Sequence, residues 1–441
     1  MPSSHRVLVI AYYFPPSGGP GVQRVLKFVK YLAEFGWRPS VLTVREGAYP
    51  EYDPSLARDI PDAVPVHRTY AWDPYRWYAR LTGRSDEDSV SVGSVRGRGA
   101  SWKESVAQWI RANVFLPDAR VGWVPFGAMR GRTLLSEQPF DAMLTSGPPH
   151  SVHLIGALLH RWTGTPWVAD FRDPWTDINY YQELPHTPPA RRLDAALERA
   201  VLRSASAVTT VSPSWRALLA RKAGSDAGPC AVVHNGFDPE DFEGERAAVS
   251  RDHFVLTYVG SLYASRNPEA LWRALSQLRT REAVPKLRLR LVGRVDPGVL
   301  RALQDLGLEA ITERVPYVPH AEAVRYMQQA ALLLLIIESF PRDEGMITGK
   351  LYEYLAAGRP VLGIGPPGGD AAALLRATDG GQLFGREDPE RIAQFIRAQY
   401  AAWEEGTPAS GARPDAIRPY SRRAQTERLA AVLDEVARKT P

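Results

Sequence analysis

The stretch that decides the fold of this chain reads Thr348-Gly349-Lys350-Leu351-Tyr352-Glu353-Tyr354-Leu355-Ala356-Ala357-Gly358-Arg359-Pro360. An apolar run, Ala331 to Ile337, precedes it and a second, Val361 to Ile364, follows it, which is the pattern of strands buried on both faces of a parallel sheet. Thr348 suits the N-cap of a helix and Gly358 suits its C′ position, so a short helix is predicted between them. The succession of strand, loop, helix and strand predicts an α/β fold.

The start of this helix has the residue types of a nucleotide diphosphate site. The free amides and the positive end of the helix dipole near Thr348 and Gly349 favour a phosphate group. Lys350 adds a full positive charge, and Glu353, one turn later on the same face, can accept hydrogen bonds from the two vicinal hydroxyls of a ribose. The alternative is an amphipathic helix with a lysine–glutamate pair on its surface.

This stretch resembles the donor-binding motif of retaining GT-B glycosyltransferases of family 4, in the subgroup that reads Lys-x-x-Glu-Tyr-Leu-Ala-x-Gly-x-Pro-Val. The resemblance implies two Rossmann-like, doubly wound domains that face each other across a cleft. In the family, the second glutamate of a pair eight residues apart binds the donor ribose, and Glu353 matches it. The first glutamate falls on Gly345, so the adjacent Glu344 is the candidate substitute.

Length and composition set the broad class of the protein. A chain of 441 residues predicts two domains, and 44% hydrophobic with 23% charged residues is typical of soluble globular proteins. The single cysteine, Cys230, excludes an internal disulfide framework, and no apolar run of about 18 residues is present. A strand is predicted soon after Arg6 without a signal-peptide pattern, so we expect a cytoplasmic protein. The predicted domains are 1–240 (acceptor-binding) and 250–420 (donor-binding), followed by a helix in 421–441 that crosses back to the first domain.

The beginning of the chain has the order strand, glycine-rich loop, helix and strand. Apolar residues 7–11 predict the first strand, and Gly19 and Gly21 in the following loop allow the backbone to approach a ligand closely. The dinucleotide fingerprint is absent, because Arg24 occupies its third glycine position. The loop resembles the glycine-rich first loop of family 4 transferases, which implies a donor-binding role for Gly19 and Gly21. A plain tight turn is the alternative.

Ionisable residues follow two further predicted strands in the first domain. His150 and His153 come after the strand 140–145, and Asp170, Arg172 and Asp173 come at the end of the strand 167–169. Because parallel strands end at one edge of the sheet, we expect a cluster there that binds sugar hydroxyls and phosphate. The motifs in 146–153 and 169–175 resemble a bacterial polysaccharide-type subgroup of family 4.

In that family a histidine of this region contacts the donor sugar or its phosphate, and the resemblance makes His150 the better match. We therefore take His150 and Asp173 as candidate catalytic residues. His153, Asp170 and Arg172 are candidate sugar- or acceptor-binding residues. For each histidine, a structural role is the alternative.

The second domain is predicted to begin with the strand Phe254 to Val259. In the family, an arginine and a lysine after this strand neutralise the donor diphosphate. Arg266 matches the lysine, whereas Ser261 replaces the arginine, so Lys350 is the candidate for the missing charge. A short strand is predicted at Val315 to Val318.

The segment 65–130 mixes aromatic and basic residues, and its part from Ser85 to Ser101 reads as a mobile loop. Aromatic rings with cations suit a membrane interface or a groove for a lipid-linked sugar, and also suit single-stranded nucleic acid. Ordinary helices with buried aromatics are the remaining alternative. We expect an acceptor glycan or lipid-linked sugar here, with peripheral contact with the inner membrane surface and no nucleic acid partner.

Metal-ligand spacing is absent from the sequence, so no cofactor or metal is expected. The resemblance implies transfer of a sugar from a nucleotide-diphosphate sugar to an acceptor hydroxyl with retention, in cell-surface polysaccharide or glycoconjugate synthesis. Two other functions fit the same fold. One is a nucleotide-sugar epimerase or hydrolase, which needs no acceptor. The other is a non-catalytic partner subunit, for which the replacements at Gly345 and Ser261 would be typical.

Overall fold

The computed structural model describes residues 5–49, 51–72, 102–244, 246–407 and 409–438. The chain divides into two compact units, Met1–His234 with Gln425–Pro441, and Asn235–Ala424. Each unit is built on one parallel sheet. The predicted α/β class with two doubly wound sheets is therefore confirmed.

Within the described residues, the sheet of the first unit has seven strands, which are β1 (His5–Ile10), β2 (Trp37–Val44), β3 (Val66–Thr69), β4 (Ala142–Gly147), β5 (Trp167–Phe171), β6 (Ala207–Thr210) and β7 (Cys230–Val232). Their order in the sheet is β3-β2-β1-β4-β5-β6-β7, and all neighbours are parallel. The direction of winding reverses between β1 and β4. In open parallel sheets this reversal opens a crevice at the carboxyl ends of the strands, where ligands bind.

Helices cover both faces of this sheet. They are α1 (Pro20–Tyr31), α2 (Trp102–Asn113), α3 (Val124–Glu137), α4 (Ser151–Thr163), α5 (Asn179–Gln182), α6 (Pro188–Ser204) and α7 (Pro213–Ala223). Side chains of β1 alternate between two cores: Leu8 and Ile10 pack on one face, and Val7 and Val9 on the other. Because both faces are buried, the strand reads as a continuous apolar run.

A buried ion pair connects α1 to the end of β5. Arg24 donates from Nε and Nη2 to the two carboxylate oxygens of Asp170, at 2.9 and 2.7 Å. The side chains are 3% and 0% exposed. Ser146 and Thr209 each donate one further hydrogen bond to Asp170, at 2.8 Å. Burial alone would raise the pKa of Asp170, but Arg24 and these hydroxyls together lower it.

A second polar contact lies in the core between β4, β5 and α4. Thr145 Oγ1 accepts a hydrogen bond from Trp167 Nε1 and lies 2.8 Å from His153 Nδ1. Since the indole only donates, the threonine hydroxyl hydrogen is available to Nδ1. His153 is fully buried and stacks on Phe171, with ring centroids 4.4 Å apart. Burial lowers the pKa of His153 to about 3, so the imidazole is neutral in the folded protein.

The second unit contains six parallel strands in the order β10-β9-β8-β11-β12-β13. They are β8 (Phe254–Val259), β9 (Leu287–Val292), β10 (Thr312–Val315), β11 (Leu332–Ile336), β12 (Val361–Ile364) and β13 (Gly381–Phe384). The winding reverses between β8 and β11. The predicted strand 315–318 is wrong in its bounds: the strand ends at Val315, because Pro316 has no N–H to donate to the ladder.

The helices of this unit are α8 (Glu269–Thr280), α9 (Pro297–Asp305), α10 (His320–Gln329), α11 (Gly349–Ala356), α12 (Asp370–Thr378), α13 (Pro389–Glu404) and α14 (Pro414–Ile417), and the last helix of the chain is α15 (Arg422–Arg438). Leu429, Leu433 and Val436 of α15 belong to the core of the first unit that contains Val7 and Val9. Trp37 Nε1 donates to Asp434 on the same helix at 2.8 Å. None of the described helices is long and apolar enough to span a bilayer.

Replacing Asp170 by Asn should lower the free energy of unfolding by about 3–5 kcal/mol, because Arg24 would be left as an uncompensated buried charge. Guanidinium unfolding of purified protein measures this loss. Asp141→Asn is the matched control, since that carboxylate is 43% exposed and should contribute about 1 kcal/mol or less. Equal losses in the two variants would show that the buried pair is not a stabilising feature.

Stability should fall as the pH drops from 7.5 to 5, in part through His153. The unfolded imidazole has its ordinary pKa near 6.5 and takes up a proton at pH 5, whereas the folded group, with a pKa of about 3, does not. Protons bound only by the unfolded chain lower stability, here by about 2 kcal/mol at pH 5. Unfolding of His153→Gln at both pH values should show a smaller loss than wild type. An unchanged pH dependence would contradict the assignment.

Candidate functional site

The start of α11 lies beside the carboxyl ends of β11 and β12, as the sequence predicts. Thr348 occupies the N-cap position, but its side chain caps no amide, and its buried Oγ1 forms no hydrogen bond with the described residues. Gly349 is the first helical residue, and Gly358 has a φ of +67° at the predicted C′ position. Leu351 N donates to the Thr348 carbonyl at 3.1 Å, so the amides of Gly349 and Lys350 and the threonine hydroxyl are the groups here with capacity for a ligand.

Lys350 lies against the carboxyl end of β8. Its Nζ donates to the hydroxyl of Tyr258 at 3.1 Å and lies 4.6 Å from the centre of that ring. The ammonium also lies close to Gly260, where an added Cβ would come within 2.3 Å of it. A glycine is favoured at 260 because of its φ of +119°. The contacts fix the position of one positive charge at the edge of the sheet.

Glu353 lies one turn further along α11 and is half-buried. Burial raises the pKa of its carboxyl, while the positive groups of His320, Arg422 and Lys350 act in the opposite direction. None of the described residues donates a hydrogen bond to this carboxylate. Its two oxygens are available to a ligand with paired hydroxyls.

Arg266 lies in the short 3-10 turn Ala264–Arg266 after β8. Its Nε and Nη2 are 3.4 and 3.5 Å from Glu338 Oε2, in the loop after β11. These distances are long for hydrogen bonds between charged groups. Glu344 is exposed in the turn Asp343–Gly345, so its substitution for the first glutamate of the family motif stays a prediction.

Arg386 was not among the predicted site residues, although it follows β13 at the same edge of the sheet. Its Nη2 donates to the backbone carbonyl of Ile337, next to Glu338. Its Nε is buried and forms no hydrogen bond with the described part of the chain. Burial lowers the pKa of Arg386, and Asp343 and Glu338 oppose that effect. A cation directly after an apolar strand was the only sequence signal.

In the first unit, the glycine loop after β1 is held by backbone hydrogen bonds. Gly18 N donates to the Glu51 carbonyl, and Asp53 N to the Pro16 carbonyl, both at 2.9 Å. Gly19 has a φ of +89°, which disfavours any other residue there. The loop leads directly into α1, so the backbone around Gly19 is fixed relative to the helix start.

Arg172 connects this loop to the loop after β4. Its guanidinium donates to the carbonyls of Gly147, Gly21 and Pro148, at 3.0, 2.6 and 2.7 Å. A Cβ on Gly21 would lie 2.8 Å from Nη1 of Arg172. Three backbone carbonyls thus occupy the guanidinium, and a role in positioning these loops fits the geometry better than the predicted sugar contact.

His150 is the best-placed ionisable residue of this edge. It is the residue before α4, its side chain is 4% exposed, and neither ring nitrogen forms a hydrogen bond with the described residues. The ring stacks on Trp175 at 5.2 Å with an interplanar angle of 6°. Burial holds the pKa of His150 well below its ordinary value. The neutral imidazole therefore offers one donor and one acceptor.

Behind His150, the ring of Trp175 is fixed by α6, in a contact that sequence analysis missed. Trp175 Nε1 donates to Asp194 at 2.8 Å, and Thr176 Oγ1 donates to Glu198 at 2.7 Å. Both acids are buried and lie four residues apart on one face of the helix. Burial raises the pKa of Asp194 to about 7, against the hydrogen bond from Trp175. A buried acidic face is not distinguishable in sequence from a solvated one.

The other candidates of this edge separate into two groups. Asp173 is half-buried, and burial raises the pKa of its carboxyl while Arg172 opposes this. Asp170 and His153 lie in the core, where Asp170 accepts four hydrogen bonds. Direct sugar contact by these two, as predicted, does not fit their burial. They support the strand ends from behind.

Within the described residues, no group of three or more His, Cys, Asp or Glu side chains is placed to hold a metal ion. The absence of a cofactor stays a prediction. Residues 73–101, which include much of the aromatic and basic segment, lie outside the described residues.

Two family models match the chain. Residues 18–236 match the glycosyl transferase 4-like domain, and residues 253–401 match the glycosyl transferases of group 1. A D-inositol 3-phosphate glycosyltransferase of Catenulispora acidiphila is 28% identical over 262 residues, which are 55% of this chain and 60% of that relative. The match thus spans less than two thirds of the relative's length.

Solved structures share the fold at low sequence identity. HepE of Anabaena, solved in complex with UDP, superimposes with a TM-score of 0.62 at 15% identity and covers 98% of this chain and 100% of its own. WaaG, a glycosyltransferase involved in lipopolysaccharide biosynthesis, gives a TM-score of 0.55 at 15% identity over 97% of this chain and 99% of its own. With both family models matched in chain order, this chain belongs to the group 1 glycosyltransferases of family 4, which have the GT-B fold.

Proposed function

We propose that this protein transfers a sugar from a nucleotide-diphosphate sugar to an acceptor hydroxyl, with retention of the anomeric configuration. One observation carries the proposal. At the start of α11, Lys350 is fixed by Tyr258 while the Glu353 carboxylate and the Thr348 hydroxyl stay without hydrogen bonds from the described residues. A fixed cation beside a carboxylate and a hydroxyl that lack hydrogen bonds suits a ligand in which a diphosphate is joined to a ribose.

The chemical demand of this reaction is a departing diphosphate. Negative charge grows on it as the glycosidic bond breaks, and fixed cations and amides stabilise that charge without reorganising. In the proposed site, Lys350, Arg266 and the amides near Gly349 meet the phosphates, and Glu353 meets the ribose. The same set would serve whichever acceptor hydroxyl attacks.

His150 is proposed to contact the sugar or its phosphate from the first unit's own site. A neutral imidazole with two unused nitrogens can donate to one oxygen and accept from a hydroxyl. Asp173 is proposed to act beside it, and Gly19 and Gly21 to bring backbone close to the donor. Trp175 keeps the imidazole ring in one orientation by stacking.

Synthesis of a cell-surface polysaccharide or glycoconjugate at the inner membrane surface is the proposed setting. The structural likeness to WaaG and the net charge of +5 support it. A row of apolar side chains on α2 adds support, since Trp102, Val106 and Trp109 are 72%, 47% and 48% exposed and recur at helical spacing. Exposed tryptophans with nearby cations bind the headgroup region of anionic bilayers.

Nucleotide binding gives the first test. We expect one of UDP, GDP, dTDP, ADP and CDP, at about 100 times its dissociation constant, to stabilise the wild-type protein by about 2.7 kcal/mol in a thermal-shift assay. Glu353→Ala and Lys350→Ala should lose this shift. Glu390→Ala and Lys286→Ala are charge-matched controls on exposed positions of the same unit and should keep it.

The absence of any shift with folded wild-type protein would contradict the proposed donor site. With a nucleotide identified, incubation with the matching nucleotide sugars and an acceptor panel separates the functions. Transfer that keeps the anomeric configuration, read by proton NMR, supports the proposal. Donor conversion without acceptor indicates an epimerase or hydrolase, and binding without turnover indicates a partner subunit.

Membrane contact is tested with lipid vesicles. The wild-type protein should sediment with vesicles that contain phosphatidylglycerol, and less with pure phosphatidylcholine or at high salt, because charge contributes to the attraction. Trp102→Ala/Trp109→Ala should weaken sedimentation. Trp162→Ala, which removes a 45% exposed tryptophan of α4, is the control and should not. Equal sedimentation of all variants would remove α2 from the proposed membrane surface.

A further inference from the structure

Two arginines of the second unit lie near one glutamate. Glu338 lies just after β11, near the middle of the sheet. Arg266 reaches it from the loop after β8, and Arg386 lies in the loop after β13. Because β8 and β13 flank β11 and β12 in the sheet order, the two guanidinium groups converge on the end of β11.

The contact between Arg266 and Glu338 is loose. Both hydrogen bonds go to the same oxygen, Oε2, at 3.4 and 3.5 Å. The side chains are 27% and 15% exposed, so the pair is partly shielded from water but not enclosed. Strong hydrogen bonds between charged groups are about 2.7–2.9 Å long, and both contacts of this pair are longer than that. The carboxylate of Glu338 offsets the positive charge of Arg266 without using all of its hydrogen-bond donors.

Arg386 also has hydrogen-bonding capacity that the described residues do not use. One Nη group donates to the Ile337 carbonyl, and the buried Nε has no hydrogen bond from the described residues. Arg386 also stands near enough to Arg266 for the second positive charge to lower its pKa, after the larger effect of burial. Two neighbouring guanidinium groups repel each other unless an anion lies between them. In this structure that anion is Glu338, with Asp343 next to Arg386.

We propose that Arg386 supplies the second guanidinium of the donor diphosphate site, and that Glu338 is the resident counter-ion which a phosphate group displaces. This inference rests on the proposed function. Arg386 brings a guanidinium to this edge from the loop after β13, beside Arg266 from the loop after β8. Lys350, held by Tyr258, adds a third positive charge at the same edge of the sheet.

The two proposed roles predict opposite effects on ligand affinity when the charge of Glu338 or of Arg386 is removed. Glu338 competes with phosphate for the arginines, so removing its charge should strengthen the binding of phosphate-containing ligands. Removing the charge of Arg386 should weaken the same ligands. Neither change should affect a nucleoside without phosphates, because the cluster recognises only the anion.

Isothermal titration of the full chain tests these effects with UDP, GDP, dTDP, ADP, CDP, the corresponding nucleosides and inorganic pyrophosphate. Arg386→Gln should weaken the nucleoside diphosphate that binds wild type at least tenfold, and Glu338→Gln should strengthen it severalfold. Arg386→Lys keeps the charge but loses the planar fork, and should fall between wild type and Arg386→Gln. Circular dichroism confirms that each variant is folded.

Arg391→Gln and Glu387→Gln are the matched controls. They remove one charge of each sign from exposed positions close in sequence to Arg386, and they should change the dissociation constants less than twofold. The test compares each variant with the control of the same charge. A general effect of net charge would appear equally in both.

Unchanged binding in both Arg386→Gln and Arg386→Lys would overturn the role of Arg386. Weaker binding in Glu338→Gln would overturn the counter-ion, since it would mean that Glu338 contacts the ligand. If pyrophosphate binds wild type in an Arg386-dependent way while no nucleotide binds, the anion site stands and the proposed function fails. If neither pyrophosphate nor nucleotide binds, both are overturned.

Discussion

The buried ion pair between Arg24 and Asp170 is the contact on which the candidate site of the first unit depends. Arg24 comes just after the glycine loop, and Asp170 comes just before Arg172, so the pair holds both segments in place. Arg172 then connects the glycine loop to the loop after β4 through three carbonyls. Arg24 and Arg172 thereby fix the backbone from which His150 projects. The buried carboxylate of Asp170 is tolerated because it accepts four hydrogen bonds, two of them from Arg24.

The two units differ in how their charges at the strand ends are satisfied. In the first unit Arg24 and Asp170 bond to each other, while both ring nitrogens of His150 form no hydrogen bond with the described residues. In the second unit the described residues leave Nε of Arg386 without a hydrogen bond, and the contact of Arg266 with Glu338 is long. A charged group whose hydrogen bonds are made within the protein stabilises the fold, whereas a charged group at a strand end with unused donors or acceptors can still bind a ligand. For this reason the proposed site for the donor phosphates is in the second unit.

Strands and helices whose bounds depend on local residue patterns could be predicted from the sequence. Strands buried on both faces appear as continuous apolar runs, so β8 and β12 have the predicted bounds, and a short helix lies between Thr348 and Gly358 as predicted. Sequence analysis did not predict which charges would pair across the fold. Asp170 was interpreted as a ligand contact because the sequence shows a carboxylate but not Arg24, which is 146 residues away. Asp194, on a helix with many exposed charges, gave no sign of its burial.

The parallel sheet of the second unit lets charges from different loops meet at one edge. A diphosphate site requires positive charge at a point in space, and the strand from which the charge comes is immaterial. Since all six strands of the second unit run in the same direction, every loop at their carboxyl ends opens on one edge. In the proposed diphosphate site, a guanidinium from the loop after β13 can therefore act beside one from the loop after β8, provided that a long side chain spans the intervening strands. Arginine meets that condition, and its planar fork keeps donors free after one of them is anchored to the Ile337 carbonyl.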